Sequence, residues 1–276
     1  MDNEHLRDLQ LCEYEILKVL DDICKKENLQ YYLAAGTLLG AVRHHGFIPW
    51  DDDVDVIMPV DDFIKFNEVA KKHLGDQYFL QTSKTDPDYG YLFTKIRKNG
   101  TTLMSPWERN NPGHHGVWVD IFPIIPINNK MDYYVKKTTV RFSNFLCMND
   151  VLFNYNYEYL VKRSNPILMK AIAIMRKTPA DARKRLHLKI QKALLKSNPK
   201  ASSVGIIWTN ITLVVPKHLF DGKPEMLTFE TQKFPVMPEY DEFLTRQYGD
   251  YMTPPPENQR NGGHGMIIVD LEKELW

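Results

Sequence analysis

The chain has 276 residues, and its 35 Lys and Arg balance 35 Asp and Glu to a formal net charge of zero. That balance gives no reason to expect nucleic acid as a partner. The odd set Cys12, Cys24 and Cys147 forms no CxxC pair and excludes a disulfide framework, and no signal segment or apolar run of about 18 residues is found; a cytoplasmic protein, at most peripheral at the inner face of a membrane, is expected. In chain order, residues 4–28 place Leu6, Leu9, Ile16, Leu17, Leu20, Ile23 and Cys24 at helical spacing. This predicts an amphipathic helix beside the strands that follow, with no chemistry of its own.

Chemistry concentrates in residues 31–59. Residues 31–35 read as a strand, and Gly36-Thr37-Leu38-Leu39-Gly40 turns it into a short helix over 38–44. Gly36 and Thr37 at such a turn can offer N–H and O–H donors to a phosphate, and the Arg43 guanidinium suits paired phosphate oxygens. Asp51, Asp52, Asp53 and Asp55 then run into Val54, Val56, Ile57 and Met58, a strand of buried character that opens on acids. Strand alternation predicts Asp51, Asp53 and Asp55 on one side and Asp52 turned away. Like charges about 4 Å apart repel by about 4 kcal/mol at an effective dielectric of about 20. Three such carboxylates require a cation, a raised pKa or water. A hard divalent ion, Mg²⁺ or alternatively Mn²⁺, answers that need through oxygen ligands. A solvated acidic turn is the plain alternative, and the apolar flanks argue against it.

Further along, Asp61 and Asp62 mark a helix start with Phe63, Ile64, Phe66 and Val69 facing the core. Residues 78–81 and 91–96 read as strands. Lys95 and Arg97 share a face there, from which two cations could neutralise charge on a leaving phosphate; two solvated residues are the alternative. Residues 116–123, GVWVDIFP, form an apolar strand holding a single acid, Asp120, and 107–115 read as a loop over the site. From about 130 to 200 helix formers dominate. Within them, 166–185 is apolar and then basic, suited to packing on the core or to resting on an anionic membrane surface. Residues 202–213 read as a strand or loop, 233–237 as a short strand, and 240–248 as a helix stopped by Gly249. Residues 248–265, rich in Pro and Gly, read as a binding loop from which Arg260 and His264 could reach a phosphate or an acceptor hydroxyl.

Residues 34–56, AAGTLLGAVRHHGFIPWDDDVDV, resemble the LicD family of phosphocholine and related phosphodiester transferases, which includes the fukutin-related proteins and belongs to the nucleotidyltransferase superfamily. The resemblance continues through LFTKIRKNGT (92–101), GVWVDIFP (116–123) and PPPENQRNGGHG (254–265), and leaves about 130–230 unmatched. It implies an α+β fold: a nucleotidyltransferase-like mixed β-sheet core flanked by helices. The expected organisation is a single catalytic domain over 1–276, with its core at about 1–128 plus 200–276 and a helical insertion at about 129–199. It implies a metal on Asp53 and Asp55, with Asp51 or Asp120 assisting as ligand or general base, and substrate contacts from Gly36, Thr37, Arg43, Lys95, Arg97, Arg260 and His264.

The implied reaction moves phosphocholine from CDP-choline to a hydroxyl of a cell-surface glycan, a lipid-linked glycan or a teichoic acid precursor, releasing CMP. A quaternary ammonium would want an aromatic cage, for which Tyr89, Tyr91, Trp107, Trp118 and Trp208 are available. Three alternatives stay open. Another CDP-alcohol, carrying glycerol or ribitol phosphate, could be the donor. Nucleotidyl transfer from an NTP would use the same acids. A non-catalytic glycan-binding scaffold would be marked by loss of an acid from the D-x-D pair, and none is lost.

Overall fold

The computed structural model describes residues 3–105, 112–147, 166–260 and 268–275. The chain opens with α1 (Asn3–Glu27), which buries Leu9, Ile16, Leu17, Leu20, Ile23 and Cys24 at the predicted spacing. There follow β1 (Tyr32–Leu33), α2 (Ala35–His44), β2 (Asp55–Pro59), α3 (Val60–Val69), α4 (Lys71–Leu74), β3 (Tyr78–Gln81), β4 (Thr94–Lys98), β5 (Thr102–Met104) and β6 (Trp118–Ile127). Three helices, α5 (Lys130–Cys147), α6 (Pro166–Met175) and α7 (Ala180–Leu194), precede the antiparallel pair β7 (Ser203–Ile207) and β8 (Ile211–Pro216). The chain then forms β9 (Glu225–Phe229), β10 (Gln232–Val236), α8 (Tyr240–Tyr248) and β11 (Ile268–Asp270).

Seven strands make one mixed sheet in the order β1-β2-β6-β4-β3, with β7 added to β6 and β8 to β7. The pair β2 and β6 is parallel, and the other described pairs are antiparallel. Helices flank this sheet, so the architecture is the α+β class expected. Strand β6 is its axis: all ten of its residues are buried, and it passes from β2 and β4 at its start to β7 at its end.

Two prolines in so central a strand need an explanation, because proline donates nothing to a ladder. The Asp120 N–H bonds the Val54 carbonyl, so even-numbered residues of β6 face β2 and odd-numbered ones face β4. Pro123 therefore faces the β4 side just past the last β4 pair, Thr94 with Ile121. Pro126 faces the β2 side past the last β2 pair, Pro59 with Ile124. Each missing donor falls where no partner strand remains.

The structure departs from the sequence expectations at several strands. β4 begins at Thr94 rather than 91, because Tyr91 and Phe93 are drawn into a line of rings. β9 pairs with β10 and β5 with β11, and neither β9 nor β5 stood out in the sequence. Residues 51–54 lie outside the strand altogether, which changes the geometry of the acids described below.

Helices α5 and α7 pack on each other and bury His187, whose Nδ1 lies 2.9 Å from Ser143 Oγ. Burial pushes the His187 imidazole down to about 4, against the smaller opposing effect of backbone contacts to Ser143 and Tyr91. The unfolded chain therefore takes up that proton first. Stability from this group is complete above about pH 6.5 and is lost as pH falls towards 4. Urea unfolding should show the loss, up to about 3 kcal/mol, and His187→Gln should flatten it. An unchanged slope in that variant would assign the acid sensitivity to other groups.

Candidate active site

The acid segment is held by its neighbours rather than by a ladder. Asp51 N–H closes a turn onto the Ile48 carbonyl, and from α1 the Gln10 Nε2 donates to Asp51 O at 2.9 Å and Ile48 O at 3.3 Å. Arg7, also on α1, grips Glu230 at 2.6 and 3.1 Å, and Glu230 in turn accepts the Phe47 N–H at 3.2 Å. Glycines make room for the approach. A Cβ on Gly36 would stand 2.2 Å from Asp51 Oδ2, and one on Gly40 would stand 2.4 Å from the Gly46 carbonyl. Ala35, between β1 and Gly36, takes φ 47°, a left-handed conformation that costs an L-residue about 1 kcal/mol or more.

The result is a crowd of carboxylates. Asp51, Asp52 and Asp53 each place an oxygen within 4.8 Å of the others. The expectation that Asp52 turns away is corrected: strand geometry starts only at Asp55, so alternation does not apply, and Asp52 is buried within the group. Asp55 and Asp120 sit side by side in the parallel register of β2 and β6, and Lys95 on β4 is the partner of Asp120 on the other side. Paired positions share a face, so Asp55, Asp120 and Lys95 form one row across three strands. Burial, then Asp53, Asp120 and Asp51, push the Asp55 carboxyl well above the usual range, with Lys95 pulling the other way.

Asp120 is held from two directions. Lys95 Nζ lies 2.7 Å from Oδ1 and 3.0 Å from Oδ2, and Trp118 Nε1 donates to Oδ2 at 3.1 Å. Lys95 also rests 4.1 Å from the centre of the Trp118 ring. Arg97 shares the face of Lys95 but bonds inward, to Gln81 Oε1 at 2.5 Å and the Gly116 carbonyl at 2.8 Å, and is fully buried. Thr37 Oγ1 accepts the Asp55 N–H at 2.8 Å, tying the start of α2 to the acid strand. Arg43 donates to the Tyr251 carbonyl at 2.9 Å, with its guanidinium pushed down by burial and then by nearby Arg260. Arg260 lies over the Trp50 ring at 5.2 Å. His264 and Trp107 fall outside the described residues. The structure thus gathers Asp51, Asp53, Asp55, Asp120, Lys95, Gly36 and Thr37, sets Arg43 beside Arg260, and turns Arg97 into the scaffold.

Comparison with known proteins gives the ancestry. The family model for the LicD/FKTN/FKRP nucleotidyltransferase domain matches residues 28–157. Lipopolysaccharide cholinephosphotransferase LicD of Haemophilus influenzae is 30% identical over 275 residues, covering 94% of this chain and 96% of that protein. The chain belongs to the LicD family. More local matches are a mouse ribitol 5-phosphate transferase, 28% identical over 117 residues that cover 42% of this chain and 21% of that protein, and an uncharacterised Rickettsia typhi protein, 43% identical over 64 residues that cover 22% and 21%.

Within this LicD chain two site neighbours escaped the sequence reading. Glu13, on α1, is fully buried, and neither of its carboxylate oxygens has a hydrogen-bond partner among the described residues. Burial, then Asp53 and Asp52, hold its carboxyl well above the usual glutamate range. Tyr248, at the end of α8, is partly exposed as a residue, and desolvation, then Asp55, Asp51 and Asp53, push its phenol up. An apolar-spaced helix hides Glu13 among its buried positions, and only the fold brings α1 and α8 to the acids.

The donor set fits a hard divalent cation. Three carboxylate oxygens converge, Gly36 is bare where a Cβ would collide, and the buried Glu13 carboxyl, without a hydrogen-bond partner among the described residues, adds to the group. Because an unsatisfied buried carboxyl opposes folding, Glu13→Met should stabilise the metal-free protein by about 1–3 kcal/mol and weaken divalent-cation binding. Thermal melting in chelator checks the first effect; a lower melting temperature would show that Glu13 is satisfied in the native state.

Proposed function

We propose that this protein is a metal-dependent transferase that moves phosphocholine from CDP-choline to a hydroxyl of a glycan or lipid-linked glycan. The observation that carries the reading is the row Asp55, Asp120 and Lys95 standing beside the cluster Asp51, Asp52 and Asp53. The donor is supported by the cholinephosphotransferase relative, which matches nearly end to end. Asp51, Asp52 and Asp53, whose oxygens converge, together with the neighbouring Asp55, would hold Mg²⁺ or Mn²⁺, with Glu13 behind them. A bound divalent cation supplies Lewis-acid polarisation of the donor phosphates.

The chain's own residues do the rest. Lys95 keeps a cation one strand from Asp55, where charge grows on the departing phosphate, and Asp120 fixes that ammonium in place. Arg43 and Arg260 offer guanidinium donors to the nucleotide phosphates. The acceptor oxygen forms a bond to the choline-bearing phosphorus, its proton passes to the Asp51 or Asp120 carboxylate, and the bond to the CMP oxygen breaks. The choline cation would lie against the partly exposed Tyr248, since the Trp118 face already carries Lys95 at 4.1 Å and Arg97 at 4.8 Å.

A second reading, transfer of ribitol phosphate, is favoured by the local match to the ribitol 5-phosphate transferase. Isothermal titration with CDP-choline, CDP-ribitol, CDP-glycerol and CTP, with and without Mg²⁺, separates the readings. The proposal expects CDP-choline to bind best, more tightly with Mg²⁺, and Tyr248→Leu to weaken CDP-choline about tenfold while sparing CDP-glycerol. Preference for CDP-ribitol would move the substrate, and binding of CTP alone would replace the proposal with nucleotidyl transfer.

A further inference from the structure

Charge is segregated along this neutral chain. Residues 130–200 hold 16 Lys and Arg against 4 Asp and Glu, a net of +12, so the remainder carries −12. The helices between β6 and β7 carry much of this charge on exposed positions. On α7, Arg183, His187 and Leu194 face inward, while Arg185, Lys189 and Lys192 are exposed at i, i+4 and i+7 spacing. Among the described residues none of those three outward cations has a carboxylate at ion-pair distance, in contrast to Lys136 with Asp132 on α5.

Helix α6, which like α7 packs against α5, is inverted in character. Met169 and Ile172 are buried, yet Ile167 and Ile174 are 80% and 63% exposed, with exposed Ala171 and Lys170 between them on the same face. Helix α5, packed against both, adds exposed Met131, Tyr134 and Val135. These five are half of the large apolar side chains exposed among the described residues. Chance scatter does not concentrate them on the one strongly basic segment.

We infer that α6 and α7 form a peripheral docking face for an anionic bilayer. Both halves of the surface are needed by that partner: lysines and arginines for the lipid phosphates, and isoleucines for the acyl boundary. A nucleic acid would use the cations and leave the isoleucines in water. No described helix is long and apolar enough to cross a membrane, so the contact is from one side. Gln191 on α7 donates to the Leu92 carbonyl at 3.4 Å, so the helix that carries the docking cations contacts the segment leading to Lys95. The inference is independent of the donor assigned above, because it rests on charge and exposure alone.

Co-sedimentation of the full chain with vesicles tests it. Vesicles of phosphatidylcholine and phosphatidylglycerol should carry the protein down at low salt, phosphatidylcholine alone should not, and binding should fade as salt shortens the screening length. Reversing Arg185, Lys189 and Lys192 to Glu should lower partitioning at least about tenfold, and Ile167→Ser with Ile174→Ser about tenfold, with melting temperature unchanged. Absence of binding to the anionic vesicles, equal binding to both kinds, or full binding by the charge-reversed variant would overturn the inference. So would a short RNA duplex binding where vesicles do not, or a dimer in solution that the isoleucine variant breaks.

Discussion

Electrostatic repulsion is the constraint around which this molecule is arranged. Asp51, Asp52 and Asp53 converge within 4.8 Å, Asp55 and Asp120 stand in register beside them, and Glu13 faces them from a buried position. Nothing in the apolar core gains from this crowd, and each carboxylate brought near another works against folding. The cost is met by rigid supports: Gln10 on the Asp51 carbonyl, Glu230 between Arg7 and Phe47, Thr37 on the Asp55 amide, and Lys95 across both oxygens of Asp120. Such strain against stability is expected where a site is held ready for a ligand that relieves it.

The sheet makes that arrangement possible. Strand β6 carries Asp120 between a parallel neighbour bearing Asp55 and an antiparallel one bearing Lys95. Its two prolines sit where neighbouring strands have ended, so one strand can serve β2 and β4 at the site and β7 away from it. Behind the site, Arg97 is a prop: its bonds to Gln81 and Gly116 stiffen the strand on which Lys95 stands. A cation spacing that suggested two phosphate ligands therefore divides into one group at the site and one in the scaffold.

Much of this was legible in the sequence. Apolar periodicity located α1, glycine spacing located the α2 turn, and the run of acids located the carboxylate cluster, because each is a local signal. Strand alternation failed at Asp52 because a turn closed by Ile48 and clamped by Gln10 replaces the strand there, and that clamp lies 41 residues away in sequence. Glu13 and Tyr248 could not be found for the same reason, since a helical acid and a helix-terminal tyrosine gain meaning only when tertiary packing sets them beside Asp53 and Asp55. Strands β5 and β9 were missed because each is short and takes its stability from a partner distant in the chain or from a two-residue turn.

If the acid cluster is a divalent-cation site, the ion must bind the folded chain and not the unfolded one. Thermal melting with chelator and then with Mg²⁺ or Mn²⁺ measures this directly. At about 100 times the dissociation constant the ion should add about 2.7 kcal/mol of stability. The account predicts a rise in melting temperature for the native chain that largely disappears in Asp53→Asn. Equal melting temperatures with and without the ion, in a protein that is otherwise folded and active, would contradict it.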